Sequence, residues 1–320
     1  FGSSLTDNDL NQLTNSFVDG PLAEAASLRR VSDREGADLV GRKLTARANY
    51  AGIIFPYFSP LDRSRPIEYR LRRDEPDLER KSDGSVRPKA KYLWPPGRPN
   101  RLYFPPLITQ QHLSNLNVPV VVVEGEKKTL AMHRVATFDP ELISFVSLGV
   151  GGVWNWRGVI GKAHSANGSR TNVNGVIEDF DLVSWRGRKA YILFDANVRQ
   201  NSSVQGARRA LASELGRRGA DVLLAEMPLD CDVNGIDDYL GKIAQEKSPS
   251  EACRAVHAIL KSAKPPSKKS KTCTRLSVLI VLGTGLQFSL ATHKLNEVPW
   301  RGARRPRSAP VYGMQGFILK

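Results

Sequence analysis

The fold of this chain is decided by the stretch Val120-Val121-Val122-Val123-Glu124-Gly125-Glu126, whose pattern recurs in Tyr191-Ile192-Leu193-Phe194-Asp195-Ala196-Asn197. Each is a short apolar run that ends abruptly in acidic or amide side chains. A run of β-branched or aromatic residues predicts a strand that is buried on both faces, as in a parallel sheet. Ligands of open α/β sheets bind beyond the carboxyl ends of the strands. We therefore expect Glu124 and Asp195 to lie at one rim of a sheet, where carboxylates can share a divalent metal ion.

The sequence divides into three regions of different texture. Residues 1–112 predict a mixed α/β lobe rich in basic and aromatic residues, residues 113–262 alternate strands with helices, and residues 263–320 form a basic linker and tail that we expect to be poorly ordered. Alternation of strands and helices predicts a parallel sheet with right-handed crossovers. The expected fold class is therefore α/β, with a four-stranded parallel sheet flanked by helices and preceded by a small mixed α+β lobe.

The predicted elements follow from apolar runs and helical periodicity. We expect strands at 51–58, 67–72, 118–123, 142–148, 190–194 and 221–225, and helices at 127–136, 203–218, 238–243 and 250–261. A polar stretch at about 161–176 is interpreted as an insert between the second and third strands of the α/β region.

The net charge of +15 is concentrated at the end of the chain. Residues 261–320 carry 12 Lys and Arg against one acid, whereas residues 1–260 carry 35 against 31. Within residues 1–260, the segment 63–101 is basic, with 12 Lys and Arg against 6 acids, and the segment 113–260 is balanced. Basic segments of this kind suit a nucleic-acid backbone, although a basic tail needs no such purpose.

The cysteine count and the start of the chain indicate the cellular location. Three scattered cysteines are too few for a disulfide framework or a zinc site, which favours a reducing, cytoplasmic location. Because the chain begins at Phe1 rather than Met, we expect it to be a fragment of a longer product, and its start shows no secretory signal. The apolar stretch 276–290 is shorter than the roughly twenty residues of a membrane helix, so we expect no membrane partner.

Acidic side chains at predicted strand ends are the candidate catalytic and metal-binding residues. Glu124 and Glu126 can bind magnesium or act as a general acid or base, although the first turn of any helix also favours glutamate. Asp195 offers a carboxylate and Asn197 a carbonyl oxygen, although Asp and Asn are also common turn residues. Asp237 could add to the same rim or cap the helix that follows.

Glycine patterns disfavour two common nucleotide-binding classes. Gly149, Gly151 and Gly152 follow the second predicted strand and could let the backbone approach a phosphate, although a tight turn is the better interpretation. No G-x-x-x-x-G-K-[ST] motif is present, which disfavours a P-loop ATPase. A small-molecule nucleotide-binding protein is also disfavoured, because no G-x-G-x-x-G follows the first strand of the α/β region.

The basic segment 63–104 interleaves arginine and lysine with aromatic residues. Cationic side chains suit phosphates and aromatic rings suit stacked bases, so this pattern is typical of a single-stranded nucleic-acid surface. A solvated charged face over an aromatic core is an equally good interpretation.

Together these motifs resemble a known family. Glu124-Gly125-Glu126 at a strand end, followed by Phe194-Asp195-Ala196-Asn197, resembles the Toprim fold of primases, topoisomerases and nucleases. With Asn234-Gly235-Ile236-Asp237-Asp238-Tyr239-Leu240 and Asn100-Arg101-Leu102-Tyr103-Phe104, the chain is similar to a narrower group, the Toprim-like domain of unknown function 3854. That group occurs in phage, plasmid and other mobile-element proteins, often beside a helicase or primase region. The resemblance spans about residues 20–260.

The resemblance implies a role for each candidate residue. Glu124 corresponds to the Toprim glutamate, a general acid or base in nucleotidyl transfer, and Asp195 to the first aspartate of the metal-binding D-x-D. Asn197 stands where a second aspartate is usual, so Glu126 or Asp237 would have to compensate, and the implied cofactor is Mg²⁺ or Mn²⁺. The residues expected to contact nucleic acid are Arg70, Arg72, Lys91, Tyr92, Arg101, Lys127 and Lys128.

The sequence therefore predicts a replication protein of the phage or plasmid type. We expect it to act on DNA, preferably single-stranded, or on RNA by magnesium-dependent, primase-like nucleotidyl transfer or strand cleavage. A helicase domain or partner is expected beside it. The alternative is a catalytically degenerate module that binds nucleic acid and positions a helicase, which the asparagine at position 197 favours.

Overall fold

The computed structural model describes residues 2–44, 49–80, 84–138, 143–164, 168–229 and 232–267. The helices are α1 (Asp7–Thr14), α2 (Gly20–Ala25), α3 (Asp33–Leu39), α4 (Gln110–Ser114), α5 (Glu126–Ala136), α6 (Ser202–Arg217), α7 (Ile236–Glu246) and α8 (Pro249–Lys261). The strands are β1 (Arg29–Val31), β2 (Gly52–Tyr57), β3 (Glu68–Arg73), β4 (Asp77–Arg80), β5 (Val86–Lys89), β6 (Tyr92–Leu93), β7 (Leu102–Tyr103), β8 (Val120–Glu124), β9 (Val146–Val150), β10 (Arg157–His164), β11 (Arg170–Val176), β12 (Lys189–Leu193) and β13 (Asp221–Ala225).

A five-stranded mixed sheet in the order β13-β12-β8-β9-β7 organises the second half of this structure. The pairs β13–β12, β12–β8 and β8–β9 are parallel, and β7 pairs with β9 antiparallel at the edge. The expected α/β class with parallel strands is therefore confirmed. The antiparallel edge strand was not expected, because two residues are too short to give a periodic signal.

The valine run of β8 is buried because two cores lie on opposite faces of the sheet. Val121 and Val123 belong to one core with Leu130 of α5, whereas Val120 and Val122 belong to the other with Leu211 of α6. Successive side chains of a strand point to opposite faces, so a strand covered on both sides must be apolar at every position. This arrangement fixes β8 in the middle of the sheet.

The second parallel strand lies further along the chain than the sequence predicted. We expected 142–148, and β9 spans Val146–Val150. Gly149 lies within the strand rather than in a turn. A glycine is needed there because helix α5 packs directly on it, and a β-carbon would lie 2.3 Å from Thr129 Oγ1. Ser147 is also buried and donates a hydrogen bond to the Thr129 carbonyl at 3.0 Å. These small residues allow the close approach of α5 to the sheet.

The residues before β8 contribute to the same core as the residues after it. Strands β1, β2, β3 and β6 form an antiparallel sheet. From this region, Phe17, Phe55 and Tyr57 pack in one core with Val121 and Val123. The domain boundary expected at 112/113 stays a prediction. Of the tail predicted at 263–320, Lys264 pairs with Leu224 of β13, and the residues beyond 267 lie outside the described residues.

The predicted polar insert contains a regular β-hairpin. Strands β10 and β11 pair antiparallel from Arg157–Val176 to His164–Arg170, with a register shift between Val159 and Gly161. Almost every side chain in the two strands is exposed, so the apolar alternation that marks a half-buried strand is missing. Among the described residues, no helix is long and apolar enough to cross a membrane.

We expect Arg188→Met to lower the free energy of unfolding by about 3 kcal/mol. The Arg188 side chain is fully buried and donates to the carbonyls of His112, Leu113 and Val118 at 2.9, 2.5 and 2.7 Å. The variant leaves the His112 and Val118 carbonyls without the guanidinium donor, whereas the Leu113 carbonyl keeps the Ser184 amide as a donor, and each lost bond costs about 1–3 kcal/mol less any relaxation. Urea denaturation followed by circular dichroism measures the difference. Arg186→Met, at an exposed neighbouring position, is the matched control, and an equal loss in both variants contradicts the prediction.

Candidate functional site

Glu124 and Asp195 lie at the same edge of the sheet. Glu124 is the last residue of β8, and Asp195 follows β12 by two residues. The two strands are parallel neighbours in which Val123 pairs with Leu193, so their carboxyl ends meet. The structure thus brings together the two side chains that the sequence pattern singled out, which are 71 positions apart.

Glu124 is held in a site that disfavours its charge. Burial raises the pKa of the Glu124 carboxyl, and the neighbouring Asp195 raises it further, although Lys128 acts in the opposite direction. Among the described residues, none donates a hydrogen bond to this carboxylate. Gly125, with φ +90°, makes the sharp change from β8 to α5 immediately after it. A carboxyl with a raised pKa and no fixed donor is suited to exchanging a proton.

Asp195 is held by two donors. The Lys128 ammonium lies 2.9 Å from each of its carboxylate oxygens, and the Asn234 amide donates to Oδ2 at 3.0 Å. Burial raises the pKa of Asp195 in spite of Lys128. The backbone carbonyl of Asn234 accepts a hydrogen bond from the Ala196 amide, and its side-chain Oδ1 accepts one from the Asn197 amide. Asn234 therefore positions the loop that carries Asp195, a role the sequence prediction missed although the residue opens the quoted Asn-Gly-Ile-Asp-Asp motif.

Lys128 connects the acidic residues of the edge. Burial works against its charge, but Asp195, Asp237 and Glu124 outweigh burial and raise the pKa of Lys128 above its ordinary value. It is therefore a fixed cation at neutral pH. Its contact with Asp195 shows that the expected nucleic-acid ligand Lys128 is here a partner of the candidate metal ligand.

Glu126 lies in the interior, away from the open rim. Its Oε1 accepts hydrogen bonds from the Tyr57 hydroxyl and from Arg70 Nη1, the latter at 2.8 Å. Its Oε2 has no hydrogen-bond partner among the described residues. Burial and the adjacent carboxylate raise the pKa of Tyr57, which keeps the hydroxyl protonated as a donor. Arg70 thus serves Glu126 in this structure, and Tyr57 is a contact that no local sequence pattern could have revealed.

Asp237 and Asp238 begin helix α7 and face Lys127. The Lys127 ammonium lies 3.4 Å from Asp237 Oδ2 and 3.9 Å from Asp238 Oδ1, and it donates to Ser16 Oγ at 2.6 Å. Asp237 is buried, and its Oδ1 accepts no hydrogen bond in the described part of the chain. The capping role expected for Asp237 is not seen, because Gly235 is the N-cap residue of α7 and no side chain of the described residues caps it; the two aspartates instead face Lys127 of α5.

The remaining predicted contacts lie beside this edge. The pKa of Lys91 is lowered by partial burial of the amine and by the nearby charges of Arg72 and Lys127, so these three cations lie close together. Tyr92 lies under the Arg70 guanidinium at 5.0 Å. Arg101 lies 3.3 Å from Asp179 in an ion pair. Lys91 and Arg72 form no ion pair in the described part of the chain, so they are the cations of this group that can hold a phosphate.

Asn197 is exposed in a short 3-10 helix, Ala196–Arg199, that follows Asp195. The strand argument, in which alternate residues share a face, does not apply there because the backbone is no longer extended. The role of Asn197 as a metal ligand stays a prediction.

A cavity of about 160 Å³ lies between these groups. It is lined by Arg70, Tyr92, Glu124, Gly125, Glu126, Lys127, Lys128, Gly151 and Asp237. Its carboxylates are the oxygen donors that Mg²⁺ prefers, and two of the buried carboxylate oxygens lack a donor, so the residues fit a hard cation. In the described part of the chain, no three His, Cys, Asp or Glu residues are yet grouped closely enough to hold one. The carboxylates instead form ion pairs with Lys127, Lys128 and Arg70.

Comparison with known families finds a match to part of the chain. Residues 109–247 match the family described as Domain of unknown function (DUF3854), which is the narrower group that the sequence resembles. No curated protein matches the chain. The match includes Glu124, Glu126, Asp195, Asn197 and Asp237 and ends before α8. The family description assigns no function, so the chemistry of the site has to be argued from its geometry.

We expect Glu124→Gln to stabilise the protein at neutral pH. An acid whose pKa is raised on folding favours the folded state at low pH and opposes it once pH rises through its ordinary and then its raised value. Removing the charge should therefore increase the urea midpoint at pH 8, and the gain should shrink towards pH 4.5, near the ordinary glutamate pKa of about 4.3.

Urea titrations at pH 8 and pH 5 in the presence of EDTA measure this difference. Glu24→Gln, on the exposed face of α2, is the control and should change the midpoint little at either pH. A loss of stability at pH 8 in Glu124→Gln contradicts the prediction, because it would mean that the Glu124 charge stabilises the fold.

Proposed function

We propose that the chain is a Toprim-like nucleotidyl-transfer protein of the phage or plasmid type that acts on a nucleic-acid strand in the cytoplasm. The observation that carries the proposal is the pairing of two carboxylates in different environments at one sheet edge. Glu124 has a raised pKa and no hydrogen-bond donor among the described residues, whereas Asp195 is fixed by Lys128 and Asn234. Two carboxyl groups whose environments differ in this way can divide a proton-transfer role from a ligand role.

The residues of the edge suit phosphoryl transfer in two respects. Glu124, when ionised, can accept the proton of an attacking hydroxyl group, and when protonated it can return a proton to the leaving oxygen. Lys127 and Lys128, with the neighbouring Lys91 and Arg72, provide positive charge for a phosphate.

Magnesium, if bound, would be held by Glu124 and Asp195, with Glu126 or Asp237 nearby, and would neutralise charge on the phosphate. Such a site would keep several water molecules, because Mg²⁺ usually takes only one or two carboxylates from protein.

A second candidate function is a binding module without catalysis that positions a helicase. The contact that favours it is the Lys128–Asp195 ion pair at 2.9 Å, which already neutralises the expected metal ligand. Asn197, an uncharged residue at the second position of the motif, adds to this argument. In this case the acidic edge would be structural, and the cations beside it would hold the nucleic acid.

We expect Glu124→Gln and Asp195→Asn each to abolish magnesium-dependent activity, by at least about a hundredfold, as expected for loss of an acid or base that contributes 10² or more. Incorporation of labelled nucleotides and cleavage of a labelled strand, both on single-stranded DNA and RNA with Mg²⁺ or Mn²⁺, measure the effect. Glu24→Gln, at an exposed acid of α2 outside the edge, is the control. Full activity in both edge variants would refute the catalytic site.

Asn197→Asp separates the two candidate functions. In an active site, the added carboxylate should tighten magnesium binding, measured by isothermal titration calorimetry, and should preserve or increase activity. In a binding module, neither the natural protein nor this variant should bind magnesium at millimolar concentration, while both should still bind single-stranded DNA.

A further inference from the structure

A second, larger cavity lies outside the acidic edge. It has a volume of about 800 Å³ and separates the loop 97–101 from the hairpin of β10 and β11. Its lining is rich in cationic and amide side chains: Arg98, Asn100, Arg101, Lys162, Asn172 and Asn174. Asn100 donates a hydrogen bond to the Arg157 carbonyl at 2.9 Å and so ties the loop to the base of the hairpin. We call this cavity the hairpin groove.

The pairing register of the hairpin sorts its side chains onto two faces. Lys162 pairs with Asn172 and His164 pairs with Arg170, and these two pairs share a face because they are two positions apart. The pairs between and before them place Ala163, Thr171 and Val173 on the opposite face. Lys162 and Asn172 line the groove, so the cationic and polar face is the one that looks into it.

The charge of this face is not neutralised within the hairpin. Strands β10 and β11 contain Arg157, Lys162 and Arg170 and no acid. Among the described residues Lys162 forms no ion pair, and Arg170 donates only to the His164 ring, at 3.4 Å. Across the groove, Arg98 is two-thirds exposed although it lies 3.3 Å from Glu68. The lining holds Arg98, Arg101 and Lys162 against one acid, Glu178, and this excess of positive charge attracts a polyanion.

The groove is adjacent to the acidic edge through shared residues. Asn100 and Arg101 line both the hairpin groove and a small cavity of about 30 Å³, which is also lined by Arg70 and Gly151. Arg70 and Gly151 in turn line the cavity that holds Glu124. The three cavities therefore form a row from the hairpin to the candidate catalytic carboxylate.

We propose that the hairpin groove binds a single nucleic-acid strand and guides it towards Glu124. Phosphates would lie on Lys162, Arg170 and Arg98, and base edges would meet the amides of Asn172 and Asn174, which can both donate and accept. A cavity of this volume is of the size that encloses a small ligand, so it admits an extended strand rather than a duplex. The inference that the nucleic-acid strand runs towards Glu124 rests on the proposed function. The inference that the groove binds the strand does not.

The test is fluorescence anisotropy of a labelled single-stranded 20-nucleotide DNA with the full chain in EDTA. The paired variant Lys162→Glu and Arg170→Glu should weaken binding by roughly tenfold or more, and should reduce the dependence of affinity on salt by about two phosphate contacts. The matched control changes Arg186 and Lys189 to Glu, two exposed cations near the opposite end of β12, and should alter affinity by less than about twofold. Circular dichroism confirms that each variant is folded.

Four results would overturn the proposal. Equal weakening in both paired variants would show that only total charge matters, and unchanged binding in the hairpin variant would show that the groove is not used. Competition by a mononucleotide as strong as by the strand would make the groove a small-ligand site. Cross-linking of a strand that carries 5-iodouracil should mark residues 157–164, 170–176 or 97–101, and cross-links confined to other segments would also count against it.

The proposed catalysis can fail separately from this binding. If Glu124→Gln leaves activity unchanged but the hairpin variant still loses the strand, the groove stands and the catalytic site does not. If the hairpin variant binds the strand normally while Glu124→Gln is inactive, the catalytic site stands and the groove does not.

Discussion

Burial of β8 on both faces is the constraint on which the rest of the structure depends. Val121 and Val123 fill one core and Val120 and Val122 the other, so the strand has to lie inside the sheet with helices on both sides. A charged residue can follow such a strand only where the sheet ends. Glu124 therefore stands at the edge for the same reason that the valines before it are buried, and the parallel neighbour β12 brings Asp195 to the same place.

The cost of burying charge explains how this edge is arranged. An ionised group in a protein interior is expensive unless a counter-charge or hydrogen bonds compensate it. Glu126 is compensated by Arg70 and Tyr57, and Asp195 by Lys128. Glu124 is close to Lys128 but receives no hydrogen bond from the described residues, and its pKa is raised by burial. Glu124 is thus the carboxyl of this edge that combines a raised pKa with no hydrogen-bond donor among the described residues.

Sequence patterns predicted what depends on local composition and failed where distant residues decide. The helices α5, α6 and α8 and the strand β13 follow from periodic apolar residues, and the prediction placed each within about two residues. The hairpin of β10 and β11 escaped because its side chains are exposed on both faces, although the dipeptide Asn167-Gly168 is a strong hairpin signal. Tyr57 and Asn234 escaped for another reason, because their partners Glu126 and Asp195 are 69 and 39 positions away.

The choice between an enzyme and a binding module comes down to a competition at Asp195. In this structure the ammonium of Lys128 neutralises that carboxylate, and a divalent cation would have to take its place or share it. The double charge of the metal and the nearby Glu124 favour the cation, whereas the asparagine at position 197 removes one negative charge that would have helped it. A phosphate bound beside the edge would shift the balance, because it supplies further oxygen ligands to the metal and a new partner for the displaced lysine. Metal and nucleic acid should therefore bind this edge more strongly together than apart, which is the thermodynamic signature of coupled sites.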